Sequence, residues 1–248
     1  VYLLPIYLPV PLHAYLPIYL LHPHQPNSYF LMYYTRLVLR LCAIVPVKNL
    51  ARGKSRLATL LSVEKRINLS IAMLRDVLGC LCSSPCIDSV IIVGSDPIVK
   101  DIAGEFNAMF VEDAYEQGVN SAVALADDIA RRYDASVVLP HDIPLISELD
   151  VLMLYTSMLK HERCVVITPS SRLDGTNILL RRPPDVIKTH YDEDSYILHL
   201  NEALSSDVRL KILLSSRLMF DVDEPDDIYA LMSSNHECNA KRYLMSIL

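Results

Sequence analysis

The feature that most constrains this chain is an apolar run that ends in a cationic loop. Residues 41–45 read as a buried strand, and Pro46 stops it abruptly. Lys48, Arg52, Lys54 and Arg56 follow, four cations within nine residues, with Gly53 and Ser55 between them. In open α/β sheets, ligands sit outside the carboxyl ends of the strands. The loop therefore reads as a cradle for an anion, and the expected anion is a triphosphate. An ordinary solvated basic loop is the competing explanation. Gly53-Lys54-Ser55 resembles the end of a P-loop, but that motif wraps phosphates with backbone that starts at an earlier glycine. Lys48 occupies the position of that glycine. The cations must act as side chains.

Composition narrows the class. With 248 residues the chain forms one large domain or two small ones, and 52% hydrophobic against 21% charged residues allow a sizeable core. A net charge of −6 argues against a general nucleic-acid binder, whose footprint is normally basic. The six cysteines of so long a chain are not a disulfide framework. Cys80, Cys82 and Cys86 cluster, but no fourth metal ligand stands at a suitable spacing. They read as small apolar residues near a helix end.

Residues 1–35 differ from the rest. The pentapeptide LPIYL occurs twice, beginning at Leu4 and at Leu16, and prolines recur at Pro5, Pro9, Pro11, Pro17, Pro23 and Pro26. Interior prolines, each unfavourable in a helix by about 3 kcal/mol, are incompatible with a membrane span. The lack of Lys or Arg before Arg36 is unlike the positive start of a signal peptide. A disordered or non-native extension is expected here, with the biological start at Met32. A single domain is expected over residues 36–248.

From Leu37 onward strands and helices alternate. Ser62 can cap a helix with Ile67, Ile71, Leu74, Val77, Leu78 and Leu81 on its apolar face. Asp96-Pro97 opens another, with Ile98, Ile102 and Phe106 facing inward. Residues 120–133 carry Val123, Ala126, Ile129 and Ala130 on one face, and Ser147 to Asp150 is a capping-box pattern. Between these, residues 90–93, 108–111, 137–139 and 164–168 read as strands. The alternation implies βαβ units, hence an α/β fold with a mainly parallel sheet. After Pro169 the rhythm loosens. Short strands are expected near residues 178–180, 210–214 and 218–220, as an insertion or lid before a return to the sheet.

Three groups of residues carry candidate chemistry. Asp142 lies just past a strand end, bracketed by Pro140 and Pro144, where a carboxylate faces a crevice. Asp221 and Asp223 flank Val222, and alternation puts both on one side. Carboxylates from separate strand ends suit Mg²⁺, which binds through one or two of them together with substrate phosphates. An acid-rich helix start is the plainer account of residues 221–225. Asp-x-Asp after a strand also occurs in haloacid-type phosphatases, but here too little chain follows for such a domain. The third group is Thr176, Asn177 and Ser195, neutral donors for phosphate or carboxylate oxygens. Ser195 and His199 share one helix face at i, i+4. His141 reads equally as a phosphate contact or a solvated side chain.

In chain order, LCAIVPVKNLARGKSRL, the turn from Gly118 to Ala122, HDIPLI, DGTNILLRRPP, DEDSYILH and DVDEPDDI resemble the archaeal 2-phospho-L-lactate guanylyltransferases, which make a precursor of the deazaflavin coenzyme F-420. The resemblance covers about residues 40–232 and reaches the wider sugar-nucleotide and molybdenum-cofactor nucleotidyltransferases. It implies a Rossmann-like three-layer α/β/α nucleotidyltransferase fold and a cytoplasmic homodimer with no nucleic-acid or membrane partner. It implies that Pro46, Lys48, Lys54, Ser55 and Arg56 bind the nucleotide, with Lys48, Lys54 and Arg56 at the GTP phosphates, and that Gly118 and Asn120 bind the nucleoside. Lys48, Lys54, Arg56 and Asp142 would be catalytic. Asp142 with Asp221 or Asp223 would hold Mg²⁺, and Thr176, Asn177, Asp192 and Ser195 the phosphorylated acceptor. Two departures stand out. The family's glycine run before Thr-Asn is thinned to Gly175, and Tyr191 is followed by Asp192, Glu193 and Asp194 where the family has glycine. Another phosphate acceptor, such as molybdopterin or a sugar phosphate, is the alternative enzyme reading. A regulator that binds nucleotide without catalysis is the alternative of another class.

Overall fold

The computed structural model describes residues 39–192 and 194–248. The extension expected over residues 1–35 lies outside them. Seven strands form one sheet in the order β3-β2-β1-β4-β6-β5-β7. They are β1 (Leu41–Val47), β2 (Ser89–Gly94), β3 (Met109–Glu112), β4 (Ala135–Val138), β5 (Cys164–Pro169), β6 (Thr176–Arg182) and β7 (Arg209–Ile212). The sheet is mainly parallel, but β6 runs antiparallel to both β4 and β5.

Eight helices accompany the described strands: α1 (Val63–Ser83), α2 (Pro97–Glu105), α3 (Val119–Ala130), α4 (Glu148–Met158), α5 (Ser195–Ser205), α6 (Ser216–Met219), α7 (Pro225–Ser233) and α8 (Asn239–Ile247). Leu41, Ala43 and Val45 join one core cluster with α1, α2 and α4, while Cys42 and Ile44 join another with α3 and α5. Alternation along β1 therefore feeds both faces, and a strand covered on both sides has to be apolar throughout. The result is the expected helix–sheet–helix sandwich.

Local chemistry sets the helix starts. Ser62 Oγ accepts the Lys65 N–H at the start of α1, and Asp96 caps α2 ahead of Pro97. The Ser147–Asp150 capping box is present. Three local expectations differ. Ile98 is 45% exposed, and Val99 takes the inward place in α2. Residues 218–220 are the end of the one-turn helix α6 rather than a strand. The helix α1 has a second apolar face, Leu69, Ala72 and Met73, which packs with Leu57, Val222, Leu231 and Leu244 in a third cluster. That cluster rivets the turn after the cationic loop to α7 and α8.

The chain runs β1, β2, β3 outward and then returns to β4 on the other side of β1. This reversal leaves a crevice at the carboxyl ends of β1 and β4, where doubly wound sheets bind ligands. The β4 end leads directly to His141 and Asp142.

Candidate active site

One cleft opens at these strand ends, with two lobes that share Pro46, Lys48, Arg52 and Val119. The first lobe lies over β2. Gly94 lines it, and a Cβ there would stand 2.8 Å from the Val47 carbonyl oxygen. Gly118, at φ 102°, turns the chain into α3. Asp113 is nearly buried, and its Oδ1 accepts the Glu116 N–H at 3.0 Å. Glu116 accepts from Ser95 Oγ and pairs with Arg52 at 3.3 Å.

The second lobe has a floor of charges. Lys54 takes a left-handed conformation (φ 54°) that turns its side chain down rather than out. Its side chain is 6% exposed, with the ammonium bonded to Asp142 Oδ2 and 3.4 Å from Asp223 Oδ1. Arg56 stays 62% exposed and reaches Asp223 Oδ2 at 2.8 Å. Arg172, on the turn between β5 and β6, lies 3.3 Å from Asp221 Oδ2 and 3.7 Å from Asp223 Oδ2. Asp142 Oδ1 is buried with no partner among the described residues.

Tertiary contacts bring the acids together. The Val222 N–H donates to the Asp142 carbonyl at 3.0 Å, so the 221–223 segment runs beside the β4 end. Its anchor is the fully buried Asp150, which accepts from Arg217 Nε at 2.6 Å and from Ser215 Oγ at 2.7 Å. Asn177 donates to the Leu218 carbonyl at 3.0 Å and to Asp221 Oδ1 at 3.3 Å.

Burial alone would raise the Asp142 carboxyl, but the Lys54 ammonium outweighs it and holds the group below the usual range. Burial alone would lower the Lys54 ammonium, but Asp142 and Asp223 overcome it and raise it. Asp221 goes the other way, raised by burial and then by the charge of Asp142. Burial pushes His141 down to about 4, so it stays neutral near neutral pH.

Magnesium requires few protein carboxylates, and the residues present fit it. Asp142 offers an unpartnered buried oxygen, and Asp221 carries a charge that its surroundings disfavour. Asp223 is engaged by Lys54 and Arg56. No group of three possible ligands exists among the described residues, so water or substrate oxygens must complete any shell.

The signs of linkage differ within this cluster. Asp142, depressed, stabilises the fold above its unfolded pKa and loses that share as pH falls through its folded value. Lys54, raised, stabilises below its unfolded pKa and loses that share as pH climbs through its folded value. Asp221, raised, favours the fold when protonated and loses that contribution as pH rises through its folded value. Mg²⁺ added to the nucleotide-free protein should therefore release a proton in mildly acidic solution and none at pH well above the carboxyl range. Calorimetry in buffers of different ionisation enthalpy reads this release. Asp221→Asn should remove it; undiminished release in that variant would exclude Asp221 as its source.

The expected residues divide between the cleft and its supports. Lys48 is exposed between the lobes, with no ion pair among the described residues. Pro46, Ser55, Gly118, Thr176 and Asn177 line the cleft. Asn120 is engaged elsewhere: its Oδ1 accepts the Tyr191 N–H at 2.8 Å and its Nδ2 donates to the exposed Asp192 at 3.2 Å. Ser195 lies buried behind Thr176, whose N–H it accepts at 2.9 Å. Asp113 and Arg172 escaped sequence reasoning. Asp113 had the same signal as Asp142, an acid just past a strand end. Arg172 had none, because it reaches acids some 50 residues away in sequence, about half the length of a small domain.

Residues 41–248 match the family model described as guanylyl transferase CofC like. The chain belongs to this family. It is 29% identical to the 2-phospho-L-lactate guanylyltransferase of Methanothermobacter thermautotrophicus, over 84% of this chain and 92% of that protein. It is 33% identical to the phosphoenolpyruvate guanylyltransferase of Rubrobacter xylanophilus, over 77% of this chain and 93% of that one. The relatives are thus bacterial as well as archaeal. Among solved structures, a nucleotide-diphospho-sugar transferase from Desulfovibrio desulfuricans G20 superposes with TM-score 0.66 at 18% identity, covering 83% of this chain and 94% of that one. At such identity the likeness speaks for the fold, that of the nucleotidyltransferases. No helix among the described residues is long and apolar enough to cross a membrane.

Proposed function

We propose that this member of the guanylyl transferase family transfers GMP from GTP to the phosphate of a small phospho-acid, 2-phospho-L-lactate or phosphoenolpyruvate, in coenzyme F-420 biosynthesis. Both acceptors occur in the names of its relatives. The observation that carries the reading is the unpartnered Asp142 Oδ1, set between a cationic loop and a wall of neutral donors. The reading includes a cytoplasmic homodimer, checked by light scattering and cell fractionation.

The chemistry needs no base. An acceptor phosphate oxygen is already anionic and attacks the GTP α-phosphorus in line. A P–O bond forms, the bond from the α-phosphorus to the β-bridging oxygen breaks, and pyrophosphate leaves with the electron pair. Positioning and charge neutralisation supply the acceleration. Lys48, Ser55 and Arg56 face the triphosphate, and Gly118 lets the start of α3 approach the nucleoside. Thr176 and Asn177 face the acceptor, with Ser195, Asn120 and Asp192 bracing that wall. Asp142 and Asp221 would hold Mg²⁺, which when bound supplies positive charge beside the phosphate oxygens.

The test is pyrophosphate release from GTP and Mg²⁺ with phospholactate, phosphoenolpyruvate, phosphoglycerate and sugar phosphates. Release with a phospho-acid alone supports the reading. Equal release with sugar phosphates broadens the acceptor class, and none at all returns the chain to a binding role.

Asp113 accounts for the base. A carboxylate accepts from both N1–H and N2–H₂ of guanine, whereas adenine presents an acceptor at N1. Asp113→Asn should lower the kcat/KM preference for GTP over ATP by about tenfold to a hundredfold. An unchanged ratio would place base selection elsewhere in the lobe.

A further inference from the structure

The wall of the second lobe holds a hydrogen-bond donor of fixed polarity. Thr176 lines the cleft, and its Oγ1 lies 2.9 Å from Nδ1 of His199. His199 is fully buried on α5. Its other ring nitrogen, Nε2, accepts the backbone N–H of His190 at 2.8 Å. A backbone N–H can only donate, so Nε2 must carry the lone pair. Burial, and then the neighbouring His190 and Arg181, push the ring down to about 3, so it is neutral at working pH. Its single proton therefore sits on Nδ1. A threonine oxygen facing an N–H can accept from it but cannot donate to it. The hydroxyl proton must point elsewhere. It meets no acceptor among the described residues, and the cleft is the side on which Thr176 is lined.

We propose that His199 is a positioning residue that holds the Thr176 hydroxyl proton toward an anionic oxygen of the acceptor. This rests on the acceptor reading above and adds the polarity of its wall. A hydroxyl held as a donor suits carboxylate or phosphate oxygens. Two contacts keep the device rigid. Ser195 Oγ accepts the Thr176 N–H at 2.9 Å, and the Tyr191 ring packs edge-on to His199 with centroids 4.8 Å apart.

A double-mutant cycle in the full chain tests the assignment. Thr176→Val and His199→Leu should each raise the acceptor KM by about tenfold to a hundredfold, with the GTP KM unchanged. The double variant should lose no more than either single one, because His199 acts through Thr176. His199→Asn, whose amide N–H can replace Nδ1–H, should recover most of the loss. Nitrogen chemical shifts of the ¹⁵N-histidine-labelled wild type should report Nδ1 as protonated. Additive losses, an equal rise in the GTP KM, failed recovery by His199→Asn, or protonation at Nε2 would each overturn the role of His199. Wild-type protein that turns over no phospho-acid would overturn the acceptor reading itself, and this assignment with it. Wild-type turnover with additive losses would overturn the assignment alone.

Discussion

Asp142→Asn is expected to cut turnover by about a thousandfold or more, the upper range for losing one transition-state stabilising group. Two features of the same carboxylate set that size. Oδ2 holds the Lys54 ammonium, and Oδ1 is a buried oxygen with no partner among the described residues, on a side chain that lines the second lobe. Asparagine keeps the shape and can still accept from Lys54, but it has no charge to offer a metal. The fold should survive. The backbone bond from Val222 N–H to the Asp142 carbonyl is untouched, and Asp223 remains 3.4 Å from Lys54. The stability loss should stay below the roughly 3–5 kcal/mol that follows when a buried charge loses its only partner. Steady-state turnover with GTP and phospho-acid, beside a urea melt, measures both. A variant with near-normal turnover in Mg²⁺ would remove Asp142 from the site.

Lys54→Met should be nearly as damaging, for a different reason. The side chain keeps its length but leaves Asp142, Asp221 and Asp223 facing one another without the ammonium that lies between Asp142 and Asp223. The Asp142 carboxyl should rise, since Lys54 is what holds it down. Turnover is expected to fall by about a hundredfold to a thousandfold. GTP should bind about tenfold to a hundredfold more weakly, because carboxylates without their ammonium then face the triphosphate, while the acceptor KM changes little. GTP affinity that is unchanged, together with normal turnover, would make Lys54 only a counter-ion for the acids. Equilibrium binding of a non-hydrolysable GTP analogue separates the affinity from the rate.

The strands and most helix starts could be read from the chain because their causes are local. A β-branched or apolar run bounded by turns, a serine or aspartate before a helix, a proline at its first position: each acts within a few residues. The apolar run at residues 218–220 misled for the same reason. A short apolar run has no period that separates strand from helix. The second apolar face of α1 went unread because a single stripe already explained the helix, and only α7 and α8 show what the other side covers.

Within the site, the sequence by itself determined which chemistry was available. It put cations after β1, acids after β4 and near residue 222, and neutral donors at Thr176 and Asn177. What only the tertiary structure decided was which of these touch. Lys54 and Asp142 are 88 positions apart in sequence, yet they share a proton-bearing contact. Asp223 is engaged by Lys54 and Arg56, and Asp221 by Arg172 and Asn177. Asn120 bonds Tyr191 and Asp192, and Ser195 bonds Thr176, contacts that join segments far apart in the chain. The physical reason is range. Caps, turns and periodicity are set by neighbours in the chain, whereas charge pairing and desolvation depend on distance in space and on what excludes water, and the folded sheet alone sets those.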